Sequence, residues 1–255
     1  MKWTLAPFLA ALCLTLLSAA ADIAWAAKAP VGVRLPAGAR VGIVNVLDAQ
    51  VTHFHEARKL EDSFLKTYTV SWSATAMLLG AVRDGLTRRG FAAVAVGPGD
   101  GLRRSRETCF LDASLAKGLP KECGPLFAQL AAAEQLSAII VLGPGRNDLA
   151  HANGTRHREL PEYLRGWCFV TGTSGPESQP PLLNLSELLL VVVGPRGAQL
   201  AGREWGDNGQ SWTGYRAPAD LKAFPDSQLD QLQPLFSAML QRQAENLLAQ
   251  LQVTR

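Results

Sequence analysis

Val41-Gly42-Ile43-Val44-Asn45-Val46-Leu47 is a nearly continuous apolar run. A run of that kind reads as a strand buried on both faces. Downstream, Ser73 has the chemistry of a helix N-cap. Met77, Leu78, Ala81, Val82 and Leu86 then recur at helical spacing, before Arg88, Arg89 and Gly90 close the segment with cations and a terminal glycine. Phe91 to Val96 follows as a second apolar strand, stopped by Gly97-Pro98-Gly99. Strand, helix and strand make one β-α-β unit, whose crossover is right-handed if the strands are parallel neighbours.

The pattern repeats. Leu126, Phe127, Leu130, Ala133 and Leu136 outline a second helix that leads into Ala138-Ile139-Ile140-Val141-Leu142 and then Gly143-Pro144-Gly145. Leu188 to Val193 is a third apolar run. It turns at Gly194-Pro195-Arg196-Gly197 and continues from Ala198 to Trp205, which reads as a β-hairpin. Near the carboxyl end, Asp226 or Ser227 caps a helix whose Leu229, Leu232, Phe236, Met239, Leu240, Leu247, Leu248 and Leu251 form an apolar stripe, with Pro234 kinking or restarting it. Residues 146–181 hold no sustained period and read as a loop-rich insertion. The expected fold is therefore α/β: a single two-layer or three-layer domain over residues 27–255. It has a mixed sheet in strand-helix-strand-helix-strand order, a hairpin toward the carboxyl end and a long C-terminal helix.

The composition fits such a core. Of 255 residues, 47% are apolar and 18% charged, and 25 basic residues against 22 acidic ones leave a net charge of +3. That is too apolar for disorder, and the basic residues, spread along the chain, lack the concentrated footprint of a nucleic-acid binder. Met1 and Lys2 precede an apolar run from Leu5 to Leu17, followed by small residues at Ala19 to Ala21 and Ala24-Trp25-Ala26. This is the layout of a secretory signal peptide over residues 1–26, shorter than the roughly 20 apolar residues of a membrane span. The mature chain is expected to be periplasmic or secreted, without a transmembrane span. Cys13 lies inside the apolar run and lacks the small preceding residue of a lipidation site. Of the other cysteines, Cys109 and Cys123 flank a short loop with Gly118 and Pro120, and a disulfide between them closes about 14 residues. Cys168 sits in an apolar run as a buried thiol, with its pairing to either of the others left open.

The most suggestive chemistry lies at Asp48, His53, His55, Glu56, Arg58 and Lys59. Two histidines one residue apart project to the same side of an extended segment, a common start for a zinc site. Thr52 to Arg58 resembles the opening metal motif of metallo-β-lactamase-type hydrolases, but Ala57 stands where that motif needs its aspartate. His151 and His157, in the insertion, are the remaining histidines to complete such a site. Hydrogen-bonding histidines without metal, and hence no cofactor, are the expectation; zinc held by His53, His55 and Asp48 is the alternative. The serines of Gly209-Gln210-Ser211-Trp212-Thr213-Gly214 and Gly172-Thr173-Ser174-Gly175 miss the nucleophile-elbow spacing. The Gly-Pro strand ends lack the lysine of a P-loop. Trp205, Trp212 and Tyr215 are a candidate binding surface for a small ligand.

The element order resembles the periplasmic α/β module of the curli secretion channel CsgG and of the amino-terminal domain of TolB. Val41 to Leu47, Ala74 to Gly90 running into Phe91 to Val96, Phe127 to Leu136 running into Ala138 to Gly143, and Leu188 to Val193 crossing Gly197 into Gln199 to Trp205 carry the likeness. The resemblance implies an exported, non-enzymatic protein that binds another envelope component, either a protein or a lipid-associated one. A secreted metal-dependent hydrolase and a periplasmic small-molecule binding protein are the alternatives.

Overall fold

The computed structural model describes residues 32–57, 59–111, 118–144, 166–172, 181–184, 187–204 and 210–254. The expected signal peptide and most of the expected insertion lie outside them. In chain order the elements are β1 (Val33–Leu35), β2 (Arg40–Asn45), β3 (Gln50–Glu56), β4 (Phe64–Thr69), α1 (Ala74–Arg88), β5 (Ala92–Val96), α2 (Gly99–Arg104), α3 (Arg106–Leu111) and α4 (Cys123–Glu134). Then come β6 (Ala138–Gly143), β7 (Trp167–Gly172), β8 (Leu182–Asn184), β9 (Glu187–Gly194), β10 (Gly197–Glu204), β11 (Gln210–Ser211), α5 (Asp226–Leu229), α6 (Leu232–Leu248) and β12 (Leu251–Val253).

The strands form two five-stranded sheets of matching order, β10-β9-β6-β2-β5 and β11-β8-β7-β3-β4. In the first, β2 runs parallel to β5 and β6, and β9 and β10 continue antiparallel. In the second, β3 is parallel to β7, and β4, β8 and β11 pair antiparallel. Each position of one sheet is the chain neighbour of the same position in the other: β2 leads into β3, β6 into β7, β8 into β9 and β10 into β11. Among the described residues a helix, α1, intervenes between such neighbours only at the β4/β5 edge. A pair of β1 and β12, parallel from Val33 opposite Leu251, joins the two ends of the described fold.

Alternation along β2 divides the core. Val41 and Ile43 pack with Leu78, Val82 and Leu86 of α1 and with Phe236, Leu240 and Leu247 of α6. Val44 faces the other way, with Ile139, Val141, Phe110 of α3 and Phe127 of α4. Helices thus cover both faces of the first sheet, as a strand apolar on both sides requires. Each fully buried leucine or valine contributes about 1.5–3 kcal/mol. Ser73 caps α1 by accepting the Ala76 N–H at 3.2 Å. At the other end Gly90, at φ +79°, lets its N–H reach the Thr87 carbonyl (2.9 Å) and the Phe91 N–H reach Leu86 (3.0 Å), closing a Schellman motif.

The end of α4 makes the same turn with the wrong residue. Gln135 adopts φ 54° and ψ 48° so that the Leu136 N–H meets the Ala131 carbonyl at 2.9 Å. A side chain in the left-handed region is strained by its Cβ. Gln135→Gly is therefore expected to raise stability by about 1 kcal/mol, read as a higher urea midpoint at unchanged slope; an unchanged or lower midpoint contradicts it.

Cys109 of α3 and Cys123 of α4 form a disulfide, with Cα atoms 5.6 Å apart and a sequence separation of 14. Cys168 is fully buried and takes no part in this bond. The bond fastens α3 over the first sheet, where the Phe110 ring lies so close to Gly143 that a Cβ there would fall 2.3 Å from the ring. A loop of this length predicts that Cys109→Ala/Cys123→Ala loses roughly 3 kcal/mol. Because both cysteines are buried, the native bond should resist reductant until the chain unfolds. Denaturant melts of the variant test the first point, and rapid thiol release from folded protein would contradict the second.

Several elements depart from the sequence reading. Residues 50–56, expected as a segment following the first strand, are themselves a strand, and Phe64–Thr69 is a strand where none was expected. Trp167–Gly172, assigned to the insertion, is the central strand of the second sheet. Asp226 opens the short α5 and does not cap the long helix; Pro234 stands in the first turn of α6 and restarts it, a position that tolerates the missing N–H. Among the described residues no helix is long and apolar enough to cross a membrane.

Candidate ligand cleft and the buried histidine pair

Where β2 and β6 end and the second sheet begins, the surface opens into a cleft of about 210 Å³. Open α/β sheets place their crevices at this point, beyond the carboxyl ends of parallel strands. Asp48 enters it from the exit of β2. That exit is fixed by the Val46 N–H donating to the Leu142 carbonyl (3.0 Å) and the Leu47 N–H donating to the Asn45 side-chain oxygen (3.0 Å). Arg106, the first residue of α3, enters from the opposite wall, and its Nη1 donates to Asp48 Oδ2 at 2.7 Å. Both side chains remain about half exposed, at 40% for Arg106 and 52% for Asp48. Gln50 and Thr52 of β3, Thr67 of β4 and Glu107 of α3 also line the cleft, and Thr52 stands directly across from Thr67 in the strand register.

His53 and His55 belong to the other face of β3, since neighbours along a strand alternate. The Thr171 hydroxyl of β7 lies between them, 2.7 Å from His53 Nε2 and 2.8 Å from His55 Nδ1. His53 is fully buried and stacks on Phe169 at 4.4 Å, with Phe64 and Phe224 edge-on at 5.2 and 5.0 Å. Burial, reinforced by the charge of His55 and only partly opposed by the Leu221 backbone, lowers the His53 pKa to about 3. Burial lowers that of His55 as well. Both rings are neutral at pH 7, and one threonine hydroxyl serves them by donating to one ring and accepting from the other.

The histidines and Asp48 are therefore not brought together: the second sheet places the imidazoles in an aromatic core and Asp48 in the cleft, paired with Arg106. Among the described residues no three His, Cys, Asp or Glu side chains form a group able to hold a metal ion. His151 and His157 lie outside the described residues. The aromatic trio is also divided. Trp212 is fully buried, edge-on to Phe169 at 5.4 Å, and half-buried Tyr215 rests on it at 5.2 Å, so both close the core over the histidines. Trp205 lies outside the described residues. A further polar pair is buried in the first sheet, where Glu187 at the start of β9 contacts the Arg203 guanidinium on β10. Burial pushes Arg203 down to about 10, far enough above neutrality to keep its charge.

Sequence reasoning found Asp48 through its neighbours and missed Arg106, Glu107, Gln50, Thr52 and Thr67. Nothing in the charged stretch Arg103-Arg104-Ser105-Arg106-Glu107 distinguishes Arg106. A topological signal, position just past the end of a parallel strand, marks Asp48 alone of these residues, since the others lie within β3 and β4 or beyond α2. Fold and cleft together define a mixed α/β protein with a polar crevice at its strand ends. Comparison with known protein families, curated proteins and solved structures finds no match for the chain.

Proposed function

We propose that the chain is an exported, non-enzymatic binding protein of the cell envelope whose ligand sits in the Asp48–Arg106 cleft. The observation that carries this reading is the convergence of a half-exposed ion pair, two facing threonine hydroxyls and a glutamine at the carboxyl ends of β2 and β6. Such a crevice offers charge and hydrogen bonds to a small polar solute. The imidazoles, the side chains most used for proton transfer near neutrality, are committed to the core on the opposite face of the second sheet. The amino-terminal pattern of charge, apolar run and small residues, together with the Cys109–Cys123 bond, supports export to an oxidising compartment.

Titration calorimetry with small carboxylates, amines and amino acids tests the site. At least one class is expected to bind wild type, and the heat should vanish in Arg106→Ala while the fold is kept. No binding in any class overturns the cleft as a ligand site. Recovery of the chain from the cytoplasm with residues 1–26 intact would overturn export.

A further inference from the structure

We propose that the cleft selects a small zwitterion, a solute of amino-acid size with one carboxylate and one ammonium group, by exchanging both partners of the Asp48–Arg106 pair. The inference rests on the binding reading above. Its basis is the pair itself: Arg106 Nη1 and Asp48 Oδ2 meet at 2.7 Å inside the cleft, with both side chains still about half open to solvent. A half-exposed pair contributes little on its own, so opening it costs little. Selectivity comes from the ligand, which makes two charge-assisted hydrogen bonds with both charges present and only one with either removed. An incoming anion would occupy Arg106 and leave Asp48 without its cation, and an incoming cation would do the reverse. A ligand carrying both charges gives each side chain a new partner and leaves the charge of the site unchanged.

The remaining lining fits the same ligand. The Thr52 and Thr67 hydroxyls, facing each other across β3 and β4, both donate and accept, and Gln50 adds an amide. Glu107, the residue after Arg106 on α3, also lines the cleft. The volume of about 210 Å³ is below the roughly 300–1,000 Å³ of sites for drug-sized molecules, which points to a solute of amino-acid size. Both charges stand on fixed supports: Asp48 on the hydrogen-bonded exit of β2, and Arg106 on α3, which the Cys109–Cys123 bond and Phe110 hold to the first sheet. A preorganised pair of this kind loses little freedom on binding.

The test uses the mature, disulfide-bonded protein and calorimetric titration with each of the twenty protein amino acids. It is followed by the N-acetyl and carboxamide derivatives of whichever binds, and by acetate and propylamine as single-charge probes. At least one free amino acid is expected to bind, and removing either of its charges should weaken it at least tenfold. Asp48→Asn and Arg106→Gln should each weaken it by a similar factor with the melting temperature unchanged. Equal binding of the N-acetyl or carboxamide derivative overturns the zwitterion inference. Binding of acetate or propylamine with no amino acid bound also overturns it, while leaving the cleft as a ligand site. Binding of none of the probes removes both.

Discussion

Arg203→Met is expected to destabilise the protein by about 3–5 kcal/mol, because it leaves the Glu187 carboxylate in the core without its cation. Glu187 is fully buried at the head of β9, directly across from Gly143 at the end of β6, and Arg203 reaches it along β10 with its own side chain only 15% exposed. The effect comes from desolvation and not from the strength of the pair. The attraction between two buried charges offsets part of the hydration they lose, and removing one strands the other. The double variant Glu187→Leu/Arg203→Met removes both charges, and should recover most of the lost stability. Urea melts of the single and double variants decide the matter. A single variant as stable as wild type would mean that Glu187 has another route to neutrality; a double variant no better than the single would mean that the loss was packing.

The elements legible in sequence were those whose evidence is local. β2, α1 and β5 announce themselves through an apolar run, a serine cap and a glycine stop within consecutive residues. The β9–β10 hairpin does the same through Gly194-Pro195-Arg196-Gly197. The Cys109–Cys123 bond was readable because both residues flank one short loop. The second sheet was largely illegible because its strands are mixed in polarity and its central pairing, β3 with β7, joins distant segments. β4 reads Phe-Leu-Lys-Thr-Tyr-Thr and is an exposed edge. β7 pairs with β3 across more than a hundred residues, His53 opposite Phe169 and His55 opposite Thr171. The two-residue spacing of the histidines placed them on one face, as it must. It carried no information about what that face meets. Phe169, Phe224 and Trp212 turn it into a core, and a strand flanked by such rings buries its imidazoles where a loop would have exposed them. Asp48 lies two residues before β3, past the break between the sheets, so proximity in sequence did not become proximity in space.

That burial makes acid the second large perturbation. Folded His53 titrates at about 3, against 6.5 for an unhindered imidazole, so the folded chain resists a proton that the unfolded chain accepts. A base with a depressed pKa gives its full stabilisation above pH 6.5 and loses it as pH falls through the interval down to about 3. Over that interval His53 alone is expected to withdraw about 1.4 kcal/mol per pH unit, reaching roughly 4 kcal/mol near pH 3. His55, lowered in the same direction, adds to the loss. Replacing His53 by leucine removes the buried base, so the slope of stability against pH between 6.5 and 4.5 should flatten by about one proton even if the variant is less stable at pH 7. Unfolding free energies from urea melts at half-unit steps of pH give that slope directly. The Thr171→Val variant separates hydrogen bonding from burial. It removes the hydroxyl between the rings but leaves the aromatic enclosure, so the acid slope should persist while stability at pH 7 falls by about 1–3 kcal/mol for the imidazole nitrogens left without a partner. A slope lost with Thr171 would assign the pKa shift to the hydroxyl, and a slope unchanged in the His53 variant would remove His53 as its source.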